Sequence, residues 1–236
     1  MRRYPPIQLH RPYILFYLLP VADYRRNFMP GGSFFFTVNL ADRRSNLLTK
    51  RIDLLRTAFR SVQARHAFSM EAIVVLPDHL HTIWTLPGGD ADFANRWRLI
   101  KTEFSRGIET GEQRSPSHSA KGERGIWQRR YWEHTLRDEI DFERHCNYIH
   151  FNPVKHGHVR TVSEWPYSSF RRFVRLGVYP SEWAGTGKTT ERITENADGY
   201  RRRRLHPSYN LALRKISRVA LVMTSELIRH LEPFDE

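Results

Sequence analysis

The sequence predicts an α+β fold built on an antiparallel sheet. Short runs rich in β-branched and aromatic residues recur at 33–40, 69–76, 79–86 and 127–136, and such residues suit a pleated, half-buried surface. Between and after them, 45–66, 92–108 and 138–152 carry apolar residues at helical spacing. The second and third strands are separated only by the turn at Pro77 and Asp78, a connection suited to antiparallel pairing. The order is therefore strand, helix, strand, strand, helix, strand, helix. That order suggests a ferredoxin-like antiparallel sheet of four to five strands with helices packed on one face.

Each element has a local cause. Met29, Pro30, Gly31 and Gly32 read as a turn leading into the first strand, which holds Phe34, Phe35, Phe36 and Val38. Leu47, Leu48, Ile52, Leu54, Leu55 and Phe59 give the first helix its apolar period. Ile73, Val74 and Val75 form the β-branched centre of the second strand. Phe93, Trp97, Ile100 and Phe104 share one face of the second helix. Residues 109–125 mix Gly, Ser, Pro and charges without a period and read as a flexible loop. The third helix starts at Asp138 and Glu139, where the helix dipole favours acids, and Pro153 is expected to stop it. Residues 165–173 read as a short helix packing aromatics on the core. After Gly185 the chain turns polar, runs through four arginines at 201–204, and ends with an amphipathic stretch at 216–231. The expected division is an N-terminal extension, 1–23, a functional core domain, 24–185, and a basic C-terminal extension, 186–236, read as a loosely packed tail.

Charge narrows the partners. Lys plus Arg number 38 against 25 Asp plus Glu, a net charge of +13. Such an excess points to a polyanion, nucleic acid first and an anionic membrane second. Arginine doublets at 2–3, 25–26, 43–44, 129–130 and 171–172 supply much of it. Guanidinium groups hold phosphate bidentately and stack on bases. Aromatic residues make up 13 % of the chain, and basic grooves lined with aromatics hold single strands. Cys146 is the one cysteine, so no internal disulfide framework exists and a cytoplasmic protein is expected. The apolar run at 13–21 follows Arg2, Arg3 and Arg11, as in a short signal peptide. Prolines interrupt that basic region, and the run is too short to span a bilayer. An extension packed on the core, or a start assigned too far upstream, is expected instead, with no membrane partner.

Two short motifs carry chemistry. In His79-Leu80-His81, both imidazoles of a strand project to one face while Leu80 takes the other, so the pair can hold a divalent metal. Tyr148 and Asn152 are four apart on the predicted third helix and share a face. Tyr148 offers a hydroxyl nucleophile and Asn152 a carbonyl oxygen able to ligate a metal. Read alone, Tyr148 could equally be a core aromatic and Asn152 a helix cap. A free tyrosine, with a pKa near ~10, is a poor nucleophile at neutral pH. A metal held by the histidines would polarise a scissile phosphate and offset its developing charge. Attack by Tyr148 would then give a phosphotyrosine link and a free 3′ hydroxyl, and a second hydroxyl could reverse the step. Two histidines and one amide carry no negative charge, so Mg2+ or Mn2+ would bind weakly without a phosphate. Imidazole also suits zinc.

The stretches Val75-Leu76-Pro77-Asp78-His79-Leu80-His81 and Tyr148-Ile149-His150-Phe151-Asn152-Pro153-Val154-Lys155-His156-Gly157 resemble the paired signatures of the REP-associated tyrosine transposases. These are members of the HUH endonuclease superfamily and relatives of single-tyrosine insertion-sequence transposases. Residues 24–40, 97–101, 125–137 and 165–170 match in order as well, so the resemblance spans about 24–185. It implies His79 and His81 as metal ligands, Tyr148 as nucleophile and Asn152 as third ligand. It also implies a ferredoxin-like sheet and a single-stranded palindromic hairpin as substrate. A monomer is expected, although the insertion-sequence relatives are dimers. A non-catalytic DNA-binding regulator of such palindromes and a hydrolytic metallonuclease are the competing readings. Candidate DNA contacts are Arg98, Lys101, Gln128, Arg129, Arg130, Trp132 and Lys155. Glu133 and His134 are further donors that spacing alone does not place. Gly185-Thr186-Gly187-Lys188-Thr189-Thr190 looks like a phosphate loop, but Glu182 stands where its first glycine belongs.

Overall fold

Three consecutive phenylalanines decide the architecture. Side chains alternate along a strand, so Phe34 and Phe36 must face one side of the sheet and Phe35 the other. All three are buried, which requires cover on both faces. A computed structural model describes residues 28–111, 120 and 122–183. The 1–23 and 186–236 extensions, the apolar run at 13–21, the Gly185–Thr190 stretch and most of the loop within 109–125 lie outside the described residues.

Four strands form the sheet: β1 (Ser33–Asn39), β2 (Ser69–Val75), β3 (His79–Thr85) and β4 (Trp132–Thr135). Their order is β2-β3-β1-β4, with every pair antiparallel, as the element order predicts for a ferredoxin-like sheet. The helices are α1 (Leu47–Lys50), α2 (Ile52–Arg65), α3 (Phe93–Arg106), α4 (Glu139–Lys155) and α5 (Phe170–Arg175). Phe34, Phe36, Val38, Leu80 and Trp84 pack against Leu55 and Phe59 of α2 and against Phe93, Trp97 and Ile100 of α3. Trp84 and Trp97 stack at 4.3 Å across that layer. Phe35, Val74 and Ile83 face the other way, onto Cys146 and Ile149 of α4 and Phe170 and Phe173 of α5. The expectation of helices on one face therefore holds for α1 to α3, and α4 takes the opposite face. The cause is that Phe35, Ala72, Val74 and Ile83 on the second face are apolar and need cover as Phe34 and Phe36 do on the first, so neither face can be left to water.

Element ends differ from the sequence reading. The 45–66 helix breaks at Arg51, whose φ of −119° and ψ of 39° are not helical. The 127–136 strand shortens to β4, and Trp127 makes only an isolated bridge to Leu40. The helix expected from 165 starts at Phe170, because residues 167–169 bond to β2 instead. There Val75 N–H donates to Tyr167 O at 2.8 Å and Ser169 N–H to Ile73 O at 2.9 Å. Pro153 does not stop α4, which continues to Lys155. It lies in the last turn, where its missing N–H deprives a single carbonyl, and bonding resumes with His156 N–H to Asn152 O at 3.0 Å.

His150 is fully buried between α4 and α5. Its Nε2 lies 2.9 Å from Ser169 Oγ and its Nδ1 3.3 Å from the Tyr179 hydroxyl. That hydroxyl donates to Asn147 Oδ1 at 2.7 Å. Burial pushes the His150 pKa down from 6.5 to about 3. The unfolded chain thus binds a proton that the folded chain refuses, and stability falls as pH drops from 6.5 toward 3. His79, His81 and His145 are shifted the same way, chiefly by burial. The unfolding temperature is accordingly expected to fall between about pH 7 and about pH 5, before most carboxylates titrate. A calorimetric scan that is flat over that interval would contradict this account. Among the described residues, no helix is long and apolar enough to cross a membrane.

Candidate functional site

Strand β3 turns His79 and His81 toward the α4 face with Ile83, while Leu80 packs among the α2–α3 residues. The two imidazole rings stand 5.0 Å apart and nearly perpendicular, at 86°. Each has its Nδ1 already engaged. His79 Nδ1 lies 2.8 Å from the Asp78 carboxylate, which Arg43 Nε holds at 3.0 Å. His81 Nδ1 lies 2.8 Å from the Thr37 hydroxyl. Tying one ring nitrogen fixes the ring and aims the other nitrogen outward. His81 Nε2 is buried and has no hydrogen-bond partner. Burial is the main force lowering both pKa values. His81 falls well below its usual range, with His79 and His156 adding repulsion. His79 falls less, because Asp78 opposes the shift. Neutral imidazole is the form that ligates metal.

Helix α4 brings Tyr148 onto this pair. The Tyr148 ring stands 5.1 Å from the His81 ring at 72°, with Phe35 6.0 Å away. Lys155 Nζ sits 5.1 Å from the Tyr148 ring centre. Asn152, one helical turn past Tyr148, is fully buried, and neither atom of its amide has a hydrogen-bond partner. An unsatisfied buried polar group costs about 1–3 kcal/mol, which a ligand at that position would recover. His81 Nε2 and Asn152 Oδ1 are donor types that divalent cations accept, so the residues present fit a metal.

Sequence reasoning assigned the supporting residues no role. Thr37 becomes visible only through the register that sets it opposite His81. Asp78 reads as a turn residue in sequence, yet it anchors His79. His156, whose ring is 5.4 Å from that of His79, lies beyond the helix end that the sequence predicts. Glu133 and His134 prove separate from one another. Glu133 pairs in register with Phe36 on the α2–α3 side, whereas His134 joins a second group with Asp141 and His145. That group has metal-binding donor types, with ligand atoms within 4.8 Å of one another. The buried Asp141 is nonetheless heavily engaged: His134 Nε2 lies 2.8 Å away and Arg137 Nε 3.0 Å away. Burial opposes ionisation of Asp141, but these two partners hold its carboxyl below the usual range.

The candidate DNA contacts divide into two places. Arg98, Lys101, Gln128 and Arg129 line one cleft of about 540 Å³ between α3 and residues 122–131. Lys101 donates to Gln128 O at 3.0 Å and lies 5.3 Å from the Tyr131 ring centre. Arg129 pairs with Glu123 at 2.6 Å, and Arg130 is exposed beside it. Lys155 is elsewhere, over Tyr148. The cleft segment still runs close to the histidines. Gln128 N–H donates to Asn39 O at 3.0 Å, and Asn39 pairs with His79.

A structure of a REP-associated tyrosine transposase bound to a REP hairpin aligns with a TM-score of 0.62 and 45% identity, over 78% of this chain and 99% of that one. The fold is that of a transposase. More narrowly, this chain belongs to the IS200-like transposase family, whose model matches residues 35–152. A REP-associated tyrosine transposase of Escherichia coli (strain K12) is 48% identical over 165 residues, 70% of this chain and 92% of the relative. A relative from Haemophilus influenzae is 43% identical over 166 residues, 70% of this chain and 94% of that protein.

Proposed function

We propose that this transposase cuts and rejoins single-stranded palindromic hairpin DNA of the REP type through Tyr148. In this reading His79, His81 and Asn152 hold a divalent metal, Mg2+ or Mn2+, and residues 24–185 carry the activity in a cytoplasmic monomer. The observation that carries it is the Tyr148 ring set against His81, whose buried Nε2 has no partner. The hairpin bound by the solved relative supports the substrate class.

A cation held by His79, His81 and Asn152 would supply Lewis acidity to offset charge on the scissile phosphate. The Tyr148 oxygen attacks phosphorus while the bond to the 3′ oxygen breaks. The phenol proton passes to water, and the departing oxygen takes one up. The products are a 5′-phosphotyrosine and a free 3′ hydroxyl. Attack by a second 3′ hydroxyl returns Tyr148 and seals the new strand, so the phosphodiester energy is conserved. Lys155 adds positive charge beside the Tyr148 ring. Arg98, Lys101, Gln128 and Arg129 hold the DNA from the α3 cleft, and Arg130 from beside it.

The test is a denaturing gel of purified protein with end-labelled hairpin DNA carrying a single-stranded flank. A protein–DNA adduct is expected with Mg2+ or Mn2+ and none with EDTA. Tight hairpin binding without adduct or cutting under any metal would replace this reading with that of a DNA-binding regulator.

A further inference from the structure

The outer strand β4 carries a feature that the cutting reaction does not use. Trp132 is 50% exposed, on an edge that no other strand covers among the described residues. A large aromatic left in water at a sheet edge is a liability unless something covers it. Its ring is packed against neighbouring side chains. The Trp132 ring lies parallel to His134, at 4° and 5.9 Å. His134 in turn stacks on His145 at 20° and 4.8 Å. Asp141 anchors the middle ring at 2.8 Å, and Phe35 meets Trp132 edge-on at 5.5 Å.

Position gives this exposed ring a purpose. Trp132 pairs with Thr37, and Thr37 pairs with His81. It therefore lies two strands from His81, on the face that carries Tyr148. Residues 128–131 connect it to the basic cleft beside α3, and Arg130 and Arg137 are exposed on either side of it. Trp132 and Tyr148 both meet Phe35, at 5.5 and 6.0 Å between ring centroids, so a strand running along this face from the β4 edge to Tyr148 passes the indole.

We propose that Trp132 is a stacking platform for an unpaired base of the single-stranded flank, one that sets the scissile phosphate in place beside Tyr148. The occupant is a nucleobase, because Arg130 is exposed beside the ring in a chain of net charge +13 and an exposed indole presents its face to any base. Trp132 acts here as a positioning residue, and the proposal rests on the tyrosine-transfer reading above for where the strand is cut.

The experiment uses the full chain in a Tyr148→Phe background, so that binding is read without chemistry. The probe is a REP-type hairpin with a single-stranded flank carrying 2-aminopurine at successive positions, compared with the same hairpin without a flank. Binding should quench the fluorescence at one flank position. Trp132→Ala should remove that quench and weaken binding of the flanked hairpin roughly tenfold. The flankless hairpin should bind unchanged, and Trp132→Phe should restore most of the loss. An unaltered quench in Trp132→Ala would overturn the proposal. So would an equal loss on both DNAs, which would mark a structural role. Neither readout depends on adduct formation, so failure of the tyrosine reading is seen separately.

Discussion

The Tyr148→Phe protein is expected to form no covalent adduct with hairpin DNA and to lose cleavage by about 10³-fold or more, while its affinity for the hairpin stays nearly constant. The phenol oxygen is the atom that would bond to phosphorus, and phenylalanine removes it while leaving the ring. The ring contacts with His81 and Phe35 and the cation over its face do not need the hydroxyl, so folding should be unaffected. Losing a nucleophile outright leaves only binding and electrostatic catalysis, and such losses reach several orders of magnitude. The measurement is single-turnover cleavage with the adduct resolved on a denaturing gel. Cutting at the wild-type rate with free ends would assign the chemistry to a metal-activated water and make Tyr148 structural.

Removal of His81 should have the next largest effect. His81→Ala takes away a buried Nε2 that has no protein partner and a ring that Thr37 orients at 2.8 Å. Mn2+ affinity should drop by at least about a hundredfold, since altering even the residues that support ligands costs roughly 10–100-fold. Thr37→Val is the graded companion. It leaves the imidazole in place but frees its Nδ1, so affinity should fall by about tenfold or more. Calorimetric titration with Mn2+ reads both variants independently of cleavage. An unchanged affinity in His81→Ala would remove this residue from the metal site, and equal losses in the two variants would point to a shared folding defect.

Local periodicity carried much of this structure into the sequence. Alternation alone put His79 and His81 on one face, and helical spacing alone put Tyr148 and Asn152 one turn apart. Those relations follow from the fixed geometry of a strand or a helix, which adjacent residues determine. The order of elements likewise implied the antiparallel sheet. Element ends were less legible. Residues 167–169 answered to hydrogen bonds with β2 whose partners the local pattern does not name, and Pro153 is carried inside the last turn of α4.

What tertiary structure alone decided was which periodic faces meet. The strand pairing that sets Thr37 against His81 joins residues 44 apart in the chain. The docking of α4 on the second face of the sheet, which delivers Tyr148 to the histidines, depends on Phe35, Val74 and Ile83 being buried together with Ile149. The division of the basic residues between the α3 cleft and Lys155 at Tyr148 follows from the same choice of faces. The sequence by itself determined the chemical groups and their local directions, because covalent geometry sets those. Their assembly into one site required long-range burial of apolar surface, and no single segment contains that information.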